Sequence, residues 1–278
     1  MVAAPADCFV EVNGLRLHYL DWGGPSEDVL LLLHGISGNC HVWDDFAEHV
    51  RGDFRVLALD QRGHGASEHA PEGYPVTAFA SDIVGFRRAL GFGRFDLVGA
   101  SLGGRNSMPY AAEHSASLKH LVLVDSGPEV ERSGAKTLMA GVGVERPLAF
   151  RSREEAGEYF RLRNPNTPPQ QVERSIDYGL RINWAKKLVW RHDPELLWIT
   201  GSAGAREIPL LWESCGRIKC PTLILRGEDS DILGRGTIER MLAVMPSATA
   251  EEIPGAGHSI LIDQPVRFER AVRAFLAS

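Results

Sequence analysis

Five short runs of aliphatic residues alternate with amphipathic segments along the chain, and this alternation restricts the fold more than any other feature. The runs lie at residues 29–33, 56–59, 97–98, 121–124 and 222–225. Runs that are apolar on both faces are typical of parallel strands covered by helices. The amphipathic segments lie at residues 43–50, 76–90, 102–114, 237–245 and 266–276. The sequence therefore predicts an α/β fold with a doubly wound, mostly parallel sheet that binds ligands at the carboxyl ends of its strands.

The start of the chain has a different pattern. Residues 9–12 and 15–22 flank Asn13-Gly14, a dipeptide typical of two-residue turns between paired strands. We therefore expect an antiparallel hairpin here.

One long stretch interrupts the alternation of strands and helices. From Pro128 to Ile208 the sequence has no strand-like run and predicts helices rich in Arg and Trp, with a turn at residues 164–169. An insertion of about 80 residues at the carboxyl edge of a parallel sheet is expected to lie over the ligand site. We predict a core formed by residues 1–127 and 209–278, and a helical cap formed by residues 128–208.

The apolar run before Ser101 leads directly into the sequence Gly99-Ala100-Ser101-Leu102-Gly103, and a helical segment follows. In such a turn from strand to helix, a serine is held in a strained backbone conformation with its hydroxyl exposed. The flanking glycines are needed because a Cβ at either position would crowd the turn. Ser101 is therefore the candidate nucleophile.

Three further motifs accompany this turn. They are Leu33-His34-Gly35-Ile36, the sequence Asp-Gln-Arg-Gly-His-Gly-Ala-Ser at residues 60–67, and Gly255-Ala256-Gly257-His258. In their order and spacing, the four motifs resemble those of the α/β-hydrolase fold family over essentially the full length of the chain. The resemblance implies an eight-stranded, mostly parallel sheet with the helical cap inserted after strand 6. Residues 125–129 and 226–233 resemble a bacterial subgroup that includes hydrolases of small carboxylated amides and esters.

A serine hydroxyl is a weak nucleophile, so it needs a base within hydrogen-bonding reach. His258, on a Gly-rich loop, is the candidate base. The backbone N–H groups of Ile36 and Leu102 are expected to stabilise the oxyanion that forms during acyl transfer. The resemblance implies structural roles for His34 and His64.

The acid that orients His258 is left open by the sequence. Most of the family has this acid three residues beyond the Gly that ends the penultimate strand, but Ser230 occupies that place after Gly227. Asp231, and less well Asp229, would serve with a small shift of the loop. Asp125, at the carboxyl end of the neighbouring strand, is the competing candidate because some relatives carry the acid there. We take Asp125 as the first choice and Asp231 as the alternative.

The charge of residues 128–208 bears on the substrate. This stretch has 13 Lys and Arg against 11 Asp and Glu, although the whole chain has a net charge of −6. A local positive excess favours an anionic substrate, and a guanidinium matches a carboxylate. The candidate substrate-binding residues are Arg146, Arg161 and Arg163. The alternative is that they form ion pairs on helix faces with Glu145, Glu154, Glu155 and Glu158.

Three tryptophans of the same stretch have two interpretations. Trp184, Trp190 and Trp198 either line an apolar pocket or pack the cap onto the core.

These residues together predict a serine hydrolase that cleaves a small ester, lactone or amide through an acyl-enzyme. Family members that hydrolyse epoxides or haloalkanes use an Asp as the nucleophile, so Ser101 argues against both reactions. Hydrolytic cleavage of a carbon–carbon bond in a diketone is an alternative. A small-molecule receptor without turnover is another, because the same fold supports both functions.

The composition argues against other partners. A pI near 5.9 gives no reason to expect nucleic acid or an anionic membrane. No signal-peptide pattern or long apolar stretch occurs, so we expect a cytoplasmic monomer or homodimer that acts on a small molecule. The four cysteines and ten histidines have no metal-ligand spacing, and we expect no metal and no organic cofactor.

Overall fold

The computed structural model describes residues 4–131, 134, 146–163, 165–200 and 202–278, and for residues 197, 198, 200, 202 and 203 it describes the backbone alone. The strands are β1 (Ala6–Val12), β2 (Leu15–Asp21), β3 (Val29–Leu33), β4 (Arg55–Leu59), β5 (Phe95–Ala100), β6 (Leu118–Val124), β7 (Ala149–Phe150), β8 (Leu180–Ile182), β9 (Leu188–Trp190), β10 (Thr222–Gly227) and β11 (Ala248–Ile253). The α-helices are α1 (Asp44–Val50), α2 (Val76–Leu90), α3 (Leu102–His114), α4 (Arg153–Arg163), α5 (Pro169–Gly179), α6 (Ser202–Arg206), α7 (Ile208–Arg217), α8 (Arg235–Val244), α9 (Ile260–Asp263) and α10 (Pro265–Leu276). Short 3₁₀ helices span Cys40–Trp43, Ser115–Ser117 and Pro194–Thr200.

Eight strands form the main sheet in the order β1-β2-β4-β3-β5-β6-β10-β11. Along this sheet, the neighbours in the series β4-β3-β5-β6-β10-β11 are all parallel. By contrast, β2 is antiparallel to both β1 and β4. The prediction of a doubly wound, mostly parallel eight-stranded sheet is confirmed.

The predicted hairpin is also present. In β1 and β2, Val12 is paired with Leu15. The two turn residues, Asn13 and Gly14, have φ values of 52° and 75°. Positive φ at both positions is the requirement of the tight turn that suits the twist of paired strands.

The buried strands divide the core into two layers, one on each face of the sheet. In β3, Leu31 and Leu33 pack into one layer, and Leu30 and Leu32 pack into the other. The first layer is covered by α2, α3, α7 and α8, and the second by α1 and α10. Both faces of β3 are apolar for this reason.

The insertion between β6 and β10 contains more than the helices predicted for it. Besides α4 and α5, it includes a second sheet with the antiparallel order β7-β9-β8. Strands of two or three residues are too short to give a recognisable alternation, so the sequence indicated helices alone. The insertion has its own small apolar core around Phe150, Val172 and Ile176.

Within the described ranges, every helix is too short or too polar to span a bilayer.

Candidate active site

Ser101 lies at the junction of β5 and α3 with a φ of 51° and a ψ of −114°. Its N–H donates to the carbonyl of Val124 at 2.9 Å, and its carbonyl accepts from the Ser126 hydroxyl at 2.7 Å. The turn is closely packed, because a Cβ at Gly103 would lie 2.3 Å from the carbonyl oxygen of Leu33. These contacts hold the serine in a backbone conformation that L-residues rarely adopt.

The structure brings Ser101, His258 and Asp125 together in one hydrogen-bonded chain. His258 Nε2 lies 3.0 Å from Ser101 Oγ, and His258 Nδ1 lies 2.7 Å from Asp125 Oδ2. The Asp125 side chain is 0% exposed and that of His258 is 26% exposed. The loops after three parallel strands, β5, β6 and β11, thus meet at the carboxyl edge of the sheet.

Asp125 is the carboxylate hydrogen-bonded to His258 among the described residues, and Asp231 and Asp229 are not part of this chain of contacts. Its backbone has a φ of 45°, and its N–H donates to the carbonyl of Leu225 at 2.7 Å. The Ser230 hydroxyl donates to Asp125 Oδ2 at 2.5 Å. Ser230, which occupies the place where most of the family has its acid, is therefore a hydrogen-bond partner of the candidate acid Asp125.

The loop after β3 lies against Ser101, the candidate nucleophile. A Cβ at Gly35 would be 3.2 Å from the Cβ of Ser101. The carbonyl of Gly35 accepts hydrogen bonds from His34 Nδ1 at 2.7 Å and from the N–H of Gly38 at 3.1 Å. This carbonyl and the N–H of Ile36 belong to one planar trans peptide, so fixing the carbonyl also fixes the direction of the N–H.

A buried polar network fixes His34 in turn. Burial lowers the pKa of His34, so its ring is neutral, donating from Nδ1 and accepting the N–H of Gln61 at Nε2. The Gln61 side chain donates to the carbonyl of His34 at 2.7 Å and accepts from Asn106 at 2.9 Å. Asn106 is on α3, so the network connects the loop after β3 to the helix that begins after Ser101. The sequence analysis did not identify Gln61 or Asn106 in this role.

His64 lies next to His34, with 4.8 Å between the ring centroids. Burial holds the pKa of His64 well below its usual range, and its Nδ1 donates to the carbonyl of Arg62 at 2.9 Å. Neither His34 nor His64 contacts Ser101 Oγ, whose histidine partner is His258.

A cavity of about 200 Å³ opens at Ser101. Its wall is mostly apolar and includes residues from both the core and the insertion: Ile36, Leu102, Val130, Ile199, Ile208 and Ile232. Arg105 and Glu129 also line it. Arg105, which donates to Glu207 at 3.3 Å, was missed by the sequence analysis. The sequence does contain a signal that Arg105 lies near Ser101. Arg105 is four residues after Ser101, and residues four apart lie on the same helix face.

Arg146 is a half-buried cation without an acidic partner among the described residues. It donates through Nη1 to Ser37 Oγ at 2.9 Å and lies 3.2 Å from His192 Nε2. Its guanidinium stacks over the Trp190 ring, 3.2 Å from the centroid. Burial lowers the pKa of Arg146 to about 10. Ser37 follows Ile36, so this charge lies beside the wall of the cavity although Arg146 does not line it.

The other two predicted arginines are elsewhere. Arg161 and Arg163 are exposed on α4 and do not line the cavity. The guanidinium of Arg161 lies over Gly157 of the same helix, and that of Arg163 is 5.6 Å from the ring of Tyr159. Of their predicted glutamate partners, Glu155 pairs instead with Arg151, and Glu145 is outside the described residues.

Of the three tryptophans, Trp190 packs in the core of the insertion, where its Nε1 donates to the carbonyl of Pro147 at 2.7 Å. Trp184 is 96% exposed, so it neither lines the cavity nor packs on the core. The side chain of Trp198 is outside the described part of the structure.

Within the described ranges, the side chains close enough to share a metal ion are those of His18, Cys40 and Asp60, all buried. Asp60 already accepts hydrogen bonds from His18 and from the N–H groups of Cys40 and Ala66. Burial raises the pKa of the Cys40 thiol well above its usual range, whereas metal binding needs the thiolate. This group is accounted for as a hydrogen-bond network.

Comparison with known proteins gives consistent results. A family model described as alpha/beta hydrolase fold matches residues 28–265. The chain is 30% identical to the 3-hydroxybutyrate-oligomer hydrolase of Cupriavidus necator, with 99% of each chain covered. It is 27% identical to the 2-(acetamidomethylene)succinate hydrolase of Mesorhizobium japonicum, with 96% of this chain and 94% of that protein covered.

The fold of a solved relative agrees with these matches. The crystal structure of E-2-(acetamidomethylene)succinate hydrolase superposes with a TM-score of 0.89 at 26% identity, covering 99% of this chain and 100% of that one. The chain belongs to the alpha/beta hydrolase fold family and is a hydrolase of the esterase or amidase type.

Proposed function

We propose that this hydrolase cleaves a small carboxylate-bearing ester or amide through an acyl-enzyme on Ser101, with His258 as the base and Asp125 as the acid. The observation that carries the proposal is the unbroken chain of hydrogen bonds from Ser101 Oγ through His258 to the buried Asp125 carboxylate.

In this mechanism Ser101 Oγ attacks the carbonyl carbon of the substrate while His258 Nε2 accepts the hydroxyl proton. The imidazolium gives that proton to the leaving alcohol or amine as the carbon–oxygen or carbon–nitrogen bond breaks, and an ester to Ser101 remains. His258 then removes a proton from water as the water oxygen attacks the ester carbonyl. It returns that proton to Ser101 Oγ as the acyl bond breaks, which releases the acid and the free serine. Asp125 keeps Nδ1 protonated throughout, so Nε2 faces the serine.

The proposed oxyanion hole consists of the N–H groups of Leu102 and Ile36. Leu102 is the first residue of α3, so its N–H has no partner within the helix. The Ile36 N–H is aimed by the bonds to the Gly35 carbonyl. A preorganised donor of this kind is worth about 3 kcal/mol in the transition state.

Arg146 supports a substrate with a carboxylate. Among the described residues its contacts are neutral, namely the Ser37 hydroxyl, the His192 ring and the Trp190 face, so none of these contacts cancels the positive charge. Burial, followed by the charge of Arg146, lowers the pKa of His192 to about 3, which keeps that ring neutral. A half-buried cation that has no counter-ion in the described part of the chain favours an anionic ligand. The names of both relatives' substrates, a 3-hydroxybutyrate oligomer and 2-(acetamidomethylene)succinate, also describe carboxylic acids.

Pre-steady-state kinetics with p-nitrophenyl acetate test the acyl-enzyme. We expect a burst of nitrophenol equal to the enzyme concentration, because acylation releases nitrophenol before the slower deacylation. Ser101→Ala should abolish the burst, and mass spectrometry should detect an acetyl group on wild type alone. Binding of ligands without turnover would support a receptor instead, and a burst in Ser101→Ala would remove this serine from the mechanism.

A panel of matched esters and amides, with and without a carboxylate, tests the role of Arg146. Arg146→Met should lower kcat/KM for the carboxylated compounds by about tenfold to hundredfold, the value of a lost hydrogen bond between charged groups. It should change kcat/KM for the neutral compounds by much less. Arg161→Met is the matched control from the same insertion and should affect both series equally. Equal losses in both series for Arg146→Met would contradict carboxylate binding.

A further inference from the structure

The hydroxyl of Ser230 lies on the same carboxylate oxygen that faces the imidazole. Asp125 Oδ2 is 2.5 Å from Ser230 Oγ and 2.7 Å from His258 Nδ1. The other oxygen, Oδ1, accepts the N–H of Gly227 at 3.0 Å. Three donors therefore surround a carboxylate that is completely buried. Two of them, Ser230 Oγ and His258 Nδ1, lie at the same oxygen, Oδ2.

The hydrogen of this hydroxyl is directed at the carboxylate. Ser230 Oγ accepts the N–H of Ile232 at 3.1 Å, and the N–H of Leu233 lies 3.4 Å away. An ionised carboxylate can only accept, so the remaining contact of Oγ must be the donation to Asp125. The hydroxyl is thus oriented before substrate binds.

The loop that presents Ser230 is itself fixed by Arg226. The guanidinium of Arg226 donates to the carbonyls of Glu228, Ser230 and Leu233 at 2.7 to 2.9 Å, and to Glu252 at 2.7 Å. Four acceptors on one planar group leave the loop little freedom.

Gly227 brings this loop against the one that carries His258. A Cβ at Gly227 would lie 2.1 Å from the carbonyl oxygen of Gly257. Ser230 and His258 are therefore both held in place around Asp125 Oδ2.

We propose that Ser230 is a positioning residue for the acid, and that its hydroxyl holds the Asp125 carboxylate in the rotamer in which Oδ2 faces His258. This inference rests on the proposed roles of Asp125 and His258. Without the hydroxyl, Oδ2 keeps a single donor and the carboxylate can turn about its last bond, whose torsion is broad for Asp. The imidazole then loses the fixed partner that orients it toward Ser101.

Three substitutions at Ser230 in the full chain test the proposal. Ser230→Ala removes the donor, Ser230→Thr keeps it, and Ser230→Cys keeps the size but offers a weak donor. With p-nitrophenyl acetate we expect kcat to fall about tenfold to hundredfold in the alanine variant, the range for a lost hydrogen bond to a charged group. The cysteine variant should fall by about tenfold and the threonine variant by less than about threefold. KM should stay within about twofold in all three, because the hydroxyl does not line the cavity.

A second readout does not depend on turnover. The proton between His258 Nδ1 and Asp125 Oδ2 should give a far-downfield resonance in the proton NMR spectrum, absent from Asp125→Asn. We expect Ser230→Ala to shift or broaden this resonance and Ser230→Thr to retain it. Asp229→Asn, an exposed position in the same turn, is the control and should change neither kcat nor the resonance.

An unchanged kcat in Ser230→Ala would overturn the proposal. So would a lower kcat with an unchanged resonance, because the effect would then not pass through the acid. If Ser230→Ala fails to fold, the comparison of the threonine and cysteine variants decides, and equal kcat values for these two would contradict the proposal. Full activity in Ser101→Ala or Asp125→Asn would instead refute the proposed function, whatever Ser230 does.

Discussion

At the scale of single residues, Ser101 and Asp125 both occupy strained backbone conformations. Both have φ values near 50° although neither is a glycine. Such conformations cost of the order of 1–3 kcal/mol each and persist only where the surroundings enforce them. Here backbone hydrogen bonds to neighbouring strands enforce both, through Val124 for Ser101 and Leu225 for Asp125.

The sharpest prediction at this scale concerns Asp125, the proposed acid. Asp125→Asn replaces an acceptor with an amide that cannot hold His258 in the required tautomer, so kcat should fall by about 10⁴-fold with little change in KM. Asp231→Asn should stay close to wild type, because the carboxylate at His258 Nδ1 is that of Asp125. Steady-state kinetics on both variants measure this. The reverse pattern would transfer the role to Asp231.

The sequence predicted some of these residues and left others open for a physical reason. Ser101 and His258 lie in local motifs whose glycines fix the backbone around them, so a short stretch of sequence contains the information. The contact between Asp125 and Ser230 joins residues 105 positions apart and depends on how β6 and β10 pair. The position of Arg146 also depends on a contact between residues distant in sequence, its hydrogen bond to Ser37. The sequence alone therefore could not distinguish Arg146 from Arg161 and Arg163.

At the scale of elements, the close packing of α3 on β3 determines where Ser101 lies. A Cβ at Gly103 would overlap the Leu33 carbonyl, which is backbone and cannot move without shifting β3. Gly103→Ala should therefore lower the free energy of unfolding by about 3 kcal/mol or more and abolish activity, because α3 must shift.

Gly216→Ala is the matched control for this substitution. Gly216 lies in α7, and nothing is within 4 Å of an added Cβ. Alanine there should be neutral or stabilise by about 0.5–1 kcal/mol, since it favours the helix. Urea unfolding of both variants measures the difference. Equal stability of the two would mean that α3 can move away from β3 at little cost.

Elements were predictable from sequence where both of their faces are buried. The aliphatic runs of β3, β4, β6 and β10 meet this condition. By contrast, β11 is an edge strand with Thr249, Ala250 and Glu251 exposed, so no apolar run marks it. The short strands of the insertion pack in a small local core. With two or three residues each, they are too short to show the alternation that marks a strand.

At the scale of the whole molecule, burial of neutral histidines makes the fold sensitive to acid. Burial lowers the pKa values of His34, His64 and His192, the last to about 3. Each binds a proton in the unfolded chain below pH 6.5 but not in the fold. Their contribution to stability is therefore complete above pH 6.5 and decreases as the pH falls. Burial acts to lower the pKa of His18, but hydrogen bonds and charge from Asp60 and Asp7 together outweigh it and raise this pKa. The contribution of His18 to stability is therefore complete below pH 6.5 and is lost as the pH rises above that value.

His192 permits a quantitative test of this effect, since it contacts Arg146 but does not line the cavity. Between pH 6.5 and pH 5, a single histidine that remains neutral in the fold should reduce the free energy of unfolding by about 1.6 kcal/mol, with a slope that approaches roughly 1.4 kcal/mol per pH unit at the acid end. His192→Asn cannot take up this proton in either state, so its free energy of unfolding should depend less steeply on pH, by about one proton. Urea unfolding at several pH values gives the slopes directly, and identical slopes for wild type and His192→Asn would show that this ring is protonated within the fold.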